Sequence, residues 1–205
     1  MEAAETAPGK ATLLDWLAIA GGMLGCFMAV LDIQIMNSSL AQIEGAVGAS
    51  IDEGSWISTA YLIAEIIVIP LTGWLTYVIG FRRYITVNTA LFIVFSIGCA
   101  MSSSLNELIL FRTGQGFTGG VLIPSAITIV RRRLPPDQQM IGIAMFGVAA
   151  TFAPAIGPTL GGWLTETFSW RFIFYLNIPP GLMAIALQMI AMKREQSKCD
   201  ALKRG

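Results

Sequence analysis

The stretch WLAIAGGMLGCFMAVLDIQIMNSSL, residues 16–40, decides the fold of this chain. Apart from Asp32 it carries no charge. It is long enough to cross a bilayer core of roughly 30 Å, which takes about 20 helical residues at about 1.5 Å each. Five further stretches repeat the pattern, at approximately residues 56–79, 84–102, 108–130, 140–164 and 172–192. Lipid offers no partner to a free backbone N–H or C=O, so each stretch must close its hydrogen bonds internally as a helix. The expected fold is an all-α membrane protein, a bundle of six transmembrane helices over residues 16–192. Residues 1–15 read as a short cytoplasmic segment, and 193–205 as a basic tail or the start of a linker.

Only 13% of residues are charged and 55% are hydrophobic, where a soluble domain carries about a quarter charged residues. The formal net charge of zero hides a sorting by side. Arg82 and Arg83, then Arg131, Arg132 and Arg133, then Lys193, Arg194, Lys198, Lys203 and Arg204 fall in alternate connections, with Lys10 ahead of the first span. The opposite connections hold Glu44, Asp52, Glu53, Glu107 and Glu166, with Arg171 as their basic residue. The positive-inside rule then places both termini in the cytoplasm, with the chain in the cell (inner) membrane. Glu2 and Glu5 oppose a signal-peptide reading, so the first helix is expected to be retained. Cys26 and Cys99 lie within spans and Cys199 in the tail, which suits apolar packing better than a disulfide framework.

The connections are short, with tight turns at residues 80–83 and 103–107. The longest, Ala41–Ser55, holds Gly45, Gly48 and Gly54 and is expected to be a flexible outer loop. Pro135 and Pro136 end the fourth span. Gly116 and Gly120 in the fourth span and Gly157 and Gly161 in the fifth are small-xxx-small pairs, which allow helix backbones to approach closely. Pro154 and Pro158 are expected to kink the fifth span. These residues serve either static packing or a hinge for alternating access.

Asp32, Glu65 and Arg112 fall inside spans. Each costs roughly 2.5–3.5 kcal/mol or more at a helix centre unless it faces protein or water. At about 1.5 Å per residue, Asp32 and Arg112 reach the same level of the core, and Glu65 lies nearer the midplane. Asp32 and Arg112 meet if their helices are neighbours. An arginine favours the charged carboxylate and low dielectric the neutral one, so changing water access turns such an acid into a proton carrier. The alternative is a permanent structural ion pair. Glu65 is a proton site, a counter-charge for a cationic substrate or an interhelical hydrogen-bonding group. Gln34, Asn37, Ser38 and Ser39 make the outer part of the first span polar, as a cavity wall or as interhelical hydrogen-bonding groups.

The motifs LDIQIMN (31–37), GWL through GFRR (73–83), RTGQG (112–116) and GPTLGG (157–162) resemble the major facilitator superfamily. The likeness is to its fourteen-span drug:proton antiporters, the EmrB/QacA group. It implies that this chain is the N-terminal half of such a fold. It implies proton transfer at Arg112 and coupling or cation recognition at Asp32, and Gln34, Asn37 and Gln115 are the candidate residues of the substrate cavity. It also implies a conformational switch built on Gly73, Gly80, Arg82, Arg83, Pro154, Gly157, Pro158, Gly161 and Gly162. The chain departs from the pattern at Tyr77, where an aspartate is usual, at Val78, where an arginine is usual, and at Gln34, where a threonine is more usual.

The expected function is proton-coupled efflux of amphipathic or cationic compounds, with lipid, substrate and protons as partners. Rival readings are a same-fold carrier of a metabolite or siderophore, and a non-transporting truncated remnant or assembly partner. Such carriers need about twice as many spans, so a C-terminal half or a second copy is expected. The resemblance adds a periplasmic adaptor and an outer-membrane channel. No covalent catalysis, cofactor, metal or nucleic acid is expected: histidine is absent, and the glycines of the fourth span follow no strand.

Overall fold

A computed structural model describes residues 10–192. Residues 1–9 and 193–205, with Glu2, Glu5, Lys193, Arg194, Lys198, Cys199, Lys203 and Arg204, lie outside the described residues. Eight helices follow in order: α1 (Leu13–Ser38), α2 (Leu40–Val47), α3 (Ile51–Ile79), α4 (Phe81–Met101), α5 (Leu105–Arg133), α6 (Gln139–Thr167), α7 (Phe172–Tyr175) and α8 (Ile178–Ala191).

The helix starts are written locally. Thr12 and Ser50 accept from the backbone N–H of Asp15 and Glu53, whose carboxylates accept in return from the Thr12 and Ser50 backbone N–H groups. These are capping boxes that satisfy otherwise orphaned donors. Ser104 caps α5 by accepting from Glu107 N–H, while the Glu107 carboxylate accepts from Ser103 N–H. The three arginines 131–133 form the last turn of α5, where the helix dipole favours cations. Gly80, at φ +90°, ends α3 and starts α4 in one residue, a conformation that a side chain would oppose.

Two expectations fail here. Ala41–Ser55 is not a flexible loop, because α2 fills half of it and α3 already begins at Ile51. Ile43 is fully buried on one side of α2 while Gln42 and Gly45 face outward, and Gly48, at φ +69°, closes the helix. The sixth span is not one helix. Pro179 and Pro180 have no N–H to offer the carbonyls of Tyr175 and Leu176, so the helix stops and restarts around Leu176–Asn177. By contrast α6 runs as an unbroken 29-residue helix through Pro154 and Pro158.

Among the described residues five elements (α1, α3, α4, α6, and α7 with α8) are long and apolar enough to cross a membrane. The sixth, α5, has 29 residues but carries Glu107, Arg112 and the three terminal arginines. Packing between α3, α4 and α1 buries Arg112, while Glu107 and the terminal arginines stay at the two exposed ends of the helix. α1 in turn packs against α6, α8 and α5, so α1 and α5 form the middle of the bundle. α3 and α6 flank them and keep broad apolar faces outward, with Ile66, Trp74, Val148 and Trp163 exposed.

Two apolar clusters stack along the bundle. One holds Ile19, Met23, Met28, Phe92 and Ile129, and the other Leu31, Ile35, Ile57, Leu108 and Phe174. Arg82, Arg132 and Arg133 line one pocket with Asp15 and Met192, which gathers these basic turns at a single end of the bundle. At the other end Ser39 pairs with Thr165, and separately Arg171 donates to the Ser102 carbonyl.

Candidate functional site

Polar side chains from five elements converge near the junction of the two clusters. Asp32 comes from α1, Arg112 and Gln115 from successive turns of α5, Ser96 and Cys99 from α4, Tyr61 and Glu65 from α3, and Asn177 from the α7–α8 break. Arg112 Nη1 donates to Asp32 Oδ2 at 2.6 Å and to Gln115 Oε1 at 2.7 Å. Gln115 Nε2 donates to Asp32 Oδ1 at 3.0 Å and to Ser96 Oγ at 3.2 Å. Asn177 Nδ2 donates to the same two atoms, at 2.7 Å and 2.9 Å. The Tyr61 ring lies under the guanidinium, 4.1 Å from its centroid to Arg112 Cζ.

Arg112 is 1% exposed and is the largest of the fully buried side chains, and Asp32 is 4% exposed. Enclosing two charges this way costs several kcal/mol per ion unless geometry and further hydrogen bonds compensate. Here the carboxylate accepts three hydrogen bonds, and the cation–π contact contributes about 2 kcal/mol in a desolvated setting. Among the described residues Arg112 Nε and the Tyr61 hydroxyl nevertheless find no partner, so the enclosure is not completely satisfied. Such a pair responds strongly to the loss of one charge, because the remaining charge is left in low dielectric.

The other expected residues fall in different places. Glu65 lies one turn along α3 from Tyr61, is 9% exposed, and has no hydrogen-bond partner among the described residues. Its chain packs against α5, where a Cβ at Gly120 would come 2.9 Å from Glu65 Cγ. Gln115 is fully enclosed, so it serves the ion-pair network instead of an open wall. Asn37 is exposed near one end and accepts from Ser58 Oγ at 3.0 Å. Gln34 is half-buried where α1 meets α6, and a Cβ at Gly157 would sit 2.6 Å from Gln34 Cβ.

The glycines divide. Gly157 and Gly161 carry the α1–α6 approach, the latter against Ser38 Oγ and the Ile35 carbonyl, whereas Gly73 and Gly162 face open space. Pro154 and Pro158 stand within the same α6 segment. Arg82 donates to the Met189 carbonyl at 2.9 Å, tying the α3–α4 turn to α8, and Arg83 beside it is half-buried. Sequence reading missed Tyr61, Ser96 and Asn177. An asparagine two residues ahead of Pro179-Pro180 inside an apolar span was a signal for the last of these.

The sequence profile of the Major Facilitator Superfamily matches residues 22–202. The chain belongs to the major facilitator superfamily. Its bundle superposes on two solved transporters at the level of fold. These are a proton:xylose symporter, XylE (TM-score 0.75, 15% identity, covering 93% of this chain and 47% of that one), and a bacterial homolog of the human lysosomal transporter Spinster (TM-score 0.74, 15% identity, covering 95% and 48%). Among curated relatives it is 44% identical over 168 residues to the colistin resistance protein EmrB of Acinetobacter baumannii, covering 82% of this chain and 33% of that one. It is 34% identical over 177 residues to the multidrug export protein EmrB of Escherichia coli K12, covering 86% and 35%. It is 34% identical over 190 residues to the fatty acid resistance protein FarB of Neisseria gonorrhoeae, covering 93% and 37%. The chain thus spans about a third of the length of these relatives. It is an all-α, multi-pass membrane protein with the architecture of one half of a superfamily member.

Proposed function

We propose that this superfamily chain forms the N-terminal half of a proton-coupled efflux transporter that exports amphipathic or cationic compounds. The carrying observation is the enclosed Asp32–Arg112 pair, an ionisable acid held by a cation and amides at the junction of two apolar clusters. The names of the relatives, a colistin resistance protein and a multidrug export protein, support the substrate class. In this reading Asp32 takes a proton from outside, its hold on Arg112 weakens, and the proton leaves to the cytoplasm as substrate moves outward. Each proton supplies about 2.3 kcal/mol per 100 mV from the electrical term. The chain acts as a carrier, not as a catalyst of covalent chemistry.

The basic end of the bundle faces the cytoplasm of the inner membrane, with both termini on that side. A second six-span bundle, from a longer chain or a second copy, packs against the exposed apolar faces of α3 and α6. The resemblance extends the assembly to a periplasmic adaptor and an outer-membrane channel.

Everted vesicles holding the full-length protein test the reading. With an acid interior they should accumulate tetraphenylphosphonium, and adding substrate should raise the lumenal pH. Accumulation that persists after the pH gradient is collapsed would exclude proton coupling. Glu65, enclosed and unpaired, is assigned as the counter-charge for cations. Glu65→Gln should therefore cut tetraphenylphosphonium transport by about tenfold, through loss of a charge–charge attraction of roughly 1–4 kcal/mol at 4 Å, while sparing neutral substrates. Equal loss of both would remove Glu65 from that role.

A further inference from the structure

The hydrogen bonds around Asp32 can be assigned proton by proton. The Ser96 hydroxyl gives its single hydrogen to the Phe174 carbonyl at 2.9 Å, so its oxygen can only accept from the neighbouring amides. Both Nδ2 hydrogens of Asn177 are used, one on Asp32 Oδ1 and one on Ser96 Oγ. Both Nε2 hydrogens of Gln115 go to the same two oxygens. Arg112 Nη1 divides its pair between Asp32 Oδ2 and Gln115 Oε1. Every partner of Asp32 in this set is a donor. The arrangement suits a carboxylate anion, and a proton on Oδ1 would face two N–H groups.

One of the two amides must then turn over. Gln115 is poorly suited, because reversal would set its Nε2 against Arg112 Nη1, donor on donor beside a positive charge. Asn177 is well suited. Its Oδ1 accepts no hydrogen bond among the described residues, and reversal brings that oxygen to the new Asp32 O–H at the loss of one bond to Ser96. Asn177 also sits at the break in span six, where Pro179 and Pro180 leave the Tyr175 and Leu176 carbonyls without their usual helical donors.

We infer that Asn177 is a positioning residue that registers protonation of Asp32 by reversing its side-chain amide, and so carries that event to the α7–α8 junction. This rests on the proposed reading of Asp32 as the proton site. The charged and titratable groups facing Asp32 are Arg112 of α5, Tyr61 and Glu65 of α3, and Cys99 of α4. The only acid or base of α6 is Glu166, at its far end, and the junction brings the neutral Asn177.

Infrared difference spectra of the full-length protein in lipid, with asparagine side-chain carbonyls isotopically labelled, test this on the unmutated chain. Acidification should produce a protonated-carboxyl band that Asp32→Asn removes. An asparagine amide shift should accompany it and vanish in the same variant; among the described residues Asn177 is the asparagine hydrogen-bonded to Asp32. A carboxyl band without the amide shift overturns the role of Asn177 and leaves the proton site standing. Absence of any Asp32 carboxyl band at acid pH overturns both readings. Transport gives a second readout: Asn177→Leu takes one donor from the anion, so the pH of half-maximal export should rise by about one unit. A pH profile that does not move, with the protein folded, also overturns the inference.

Discussion

Asp32→Asn is expected to reduce export driven by a pH gradient to the background of vesicles without the protein, while insertion into the membrane stays intact. An amide cannot exchange a proton across this pH range, so substrate movement and proton movement come apart. Arg112, 1% exposed, would keep its charge and lose its counter-charge. Removing one partner of a buried pair typically destabilises by about 3–5 kcal/mol. Part of this is offset, because the new Oδ1 can still accept from Arg112 and the Tyr61 face still holds the guanidinium. The expected protein is folded, less heat-stable and inactive in coupled export. Membrane fractionation, thermal unfolding in detergent and vesicle efflux measure the three parts. Undiminished gradient-driven efflux would remove Asp32 from the mechanism.

Gly116→Leu is expected to have an effect of similar size by another route. A Cβ at position 116 would run into the Tyr61 main chain, including its carbonyl oxygen, with the Tyr61 carbonyl carbon at 2.8 Å. A backbone atom cannot rotate away as a side-chain end can, so α3 and α5 would have to part. That separation lifts the Tyr61 ring from Arg112 and opens the contact between Gly120 and Glu65. Overpacking a tight core costs about 1–3 kcal/mol, and a leucine against main chain should reach or exceed the upper value. Gly73→Ala is the matched control. Nothing lies within 4 Å of a Cβ there, and alanine improves helix propensity by up to about 1 kcal/mol. Unfolding temperatures that rank the two variants equally would refute the α3–α5 contact as described.

The two glycine variants show where sequence reading stops. Gly116/Gly120 and Gly157/Gly161 stand out in the sequence as small-residue pairs, but the pairs do not name their partners. The structure sets the first against Tyr61, Glu65 and Val68 of α3 and the second against Gln34, Ile35 and Ser38 of α1. Gly162, from the same motif, touches nothing within 4 Å. The level of Asp32 and Arg112 follows from the rise per residue, yet their contact also requires α1 and α5 to be neighbours. The segment Ala41–Ser55 misled through its three glycines, because buried Ile43 outweighs them and holds α2 to the bundle.

What the amino-acid sequence determined alone is an all-helical build of long apolar segments and the short list of charges that do not belong in lipid. Both follow from local physics: a backbone in lipid must satisfy itself, and an ion there is expensive wherever it stands. What tertiary structure decided is which groups surround Asp32. Arg112, Gln115, Ser96 and Asn177 lie 80, 83, 64 and 145 positions from it along the chain, and no local rule relates them. They meet because helices pack laterally by shape, and lateral order is a property of the whole bundle that no single span encodes.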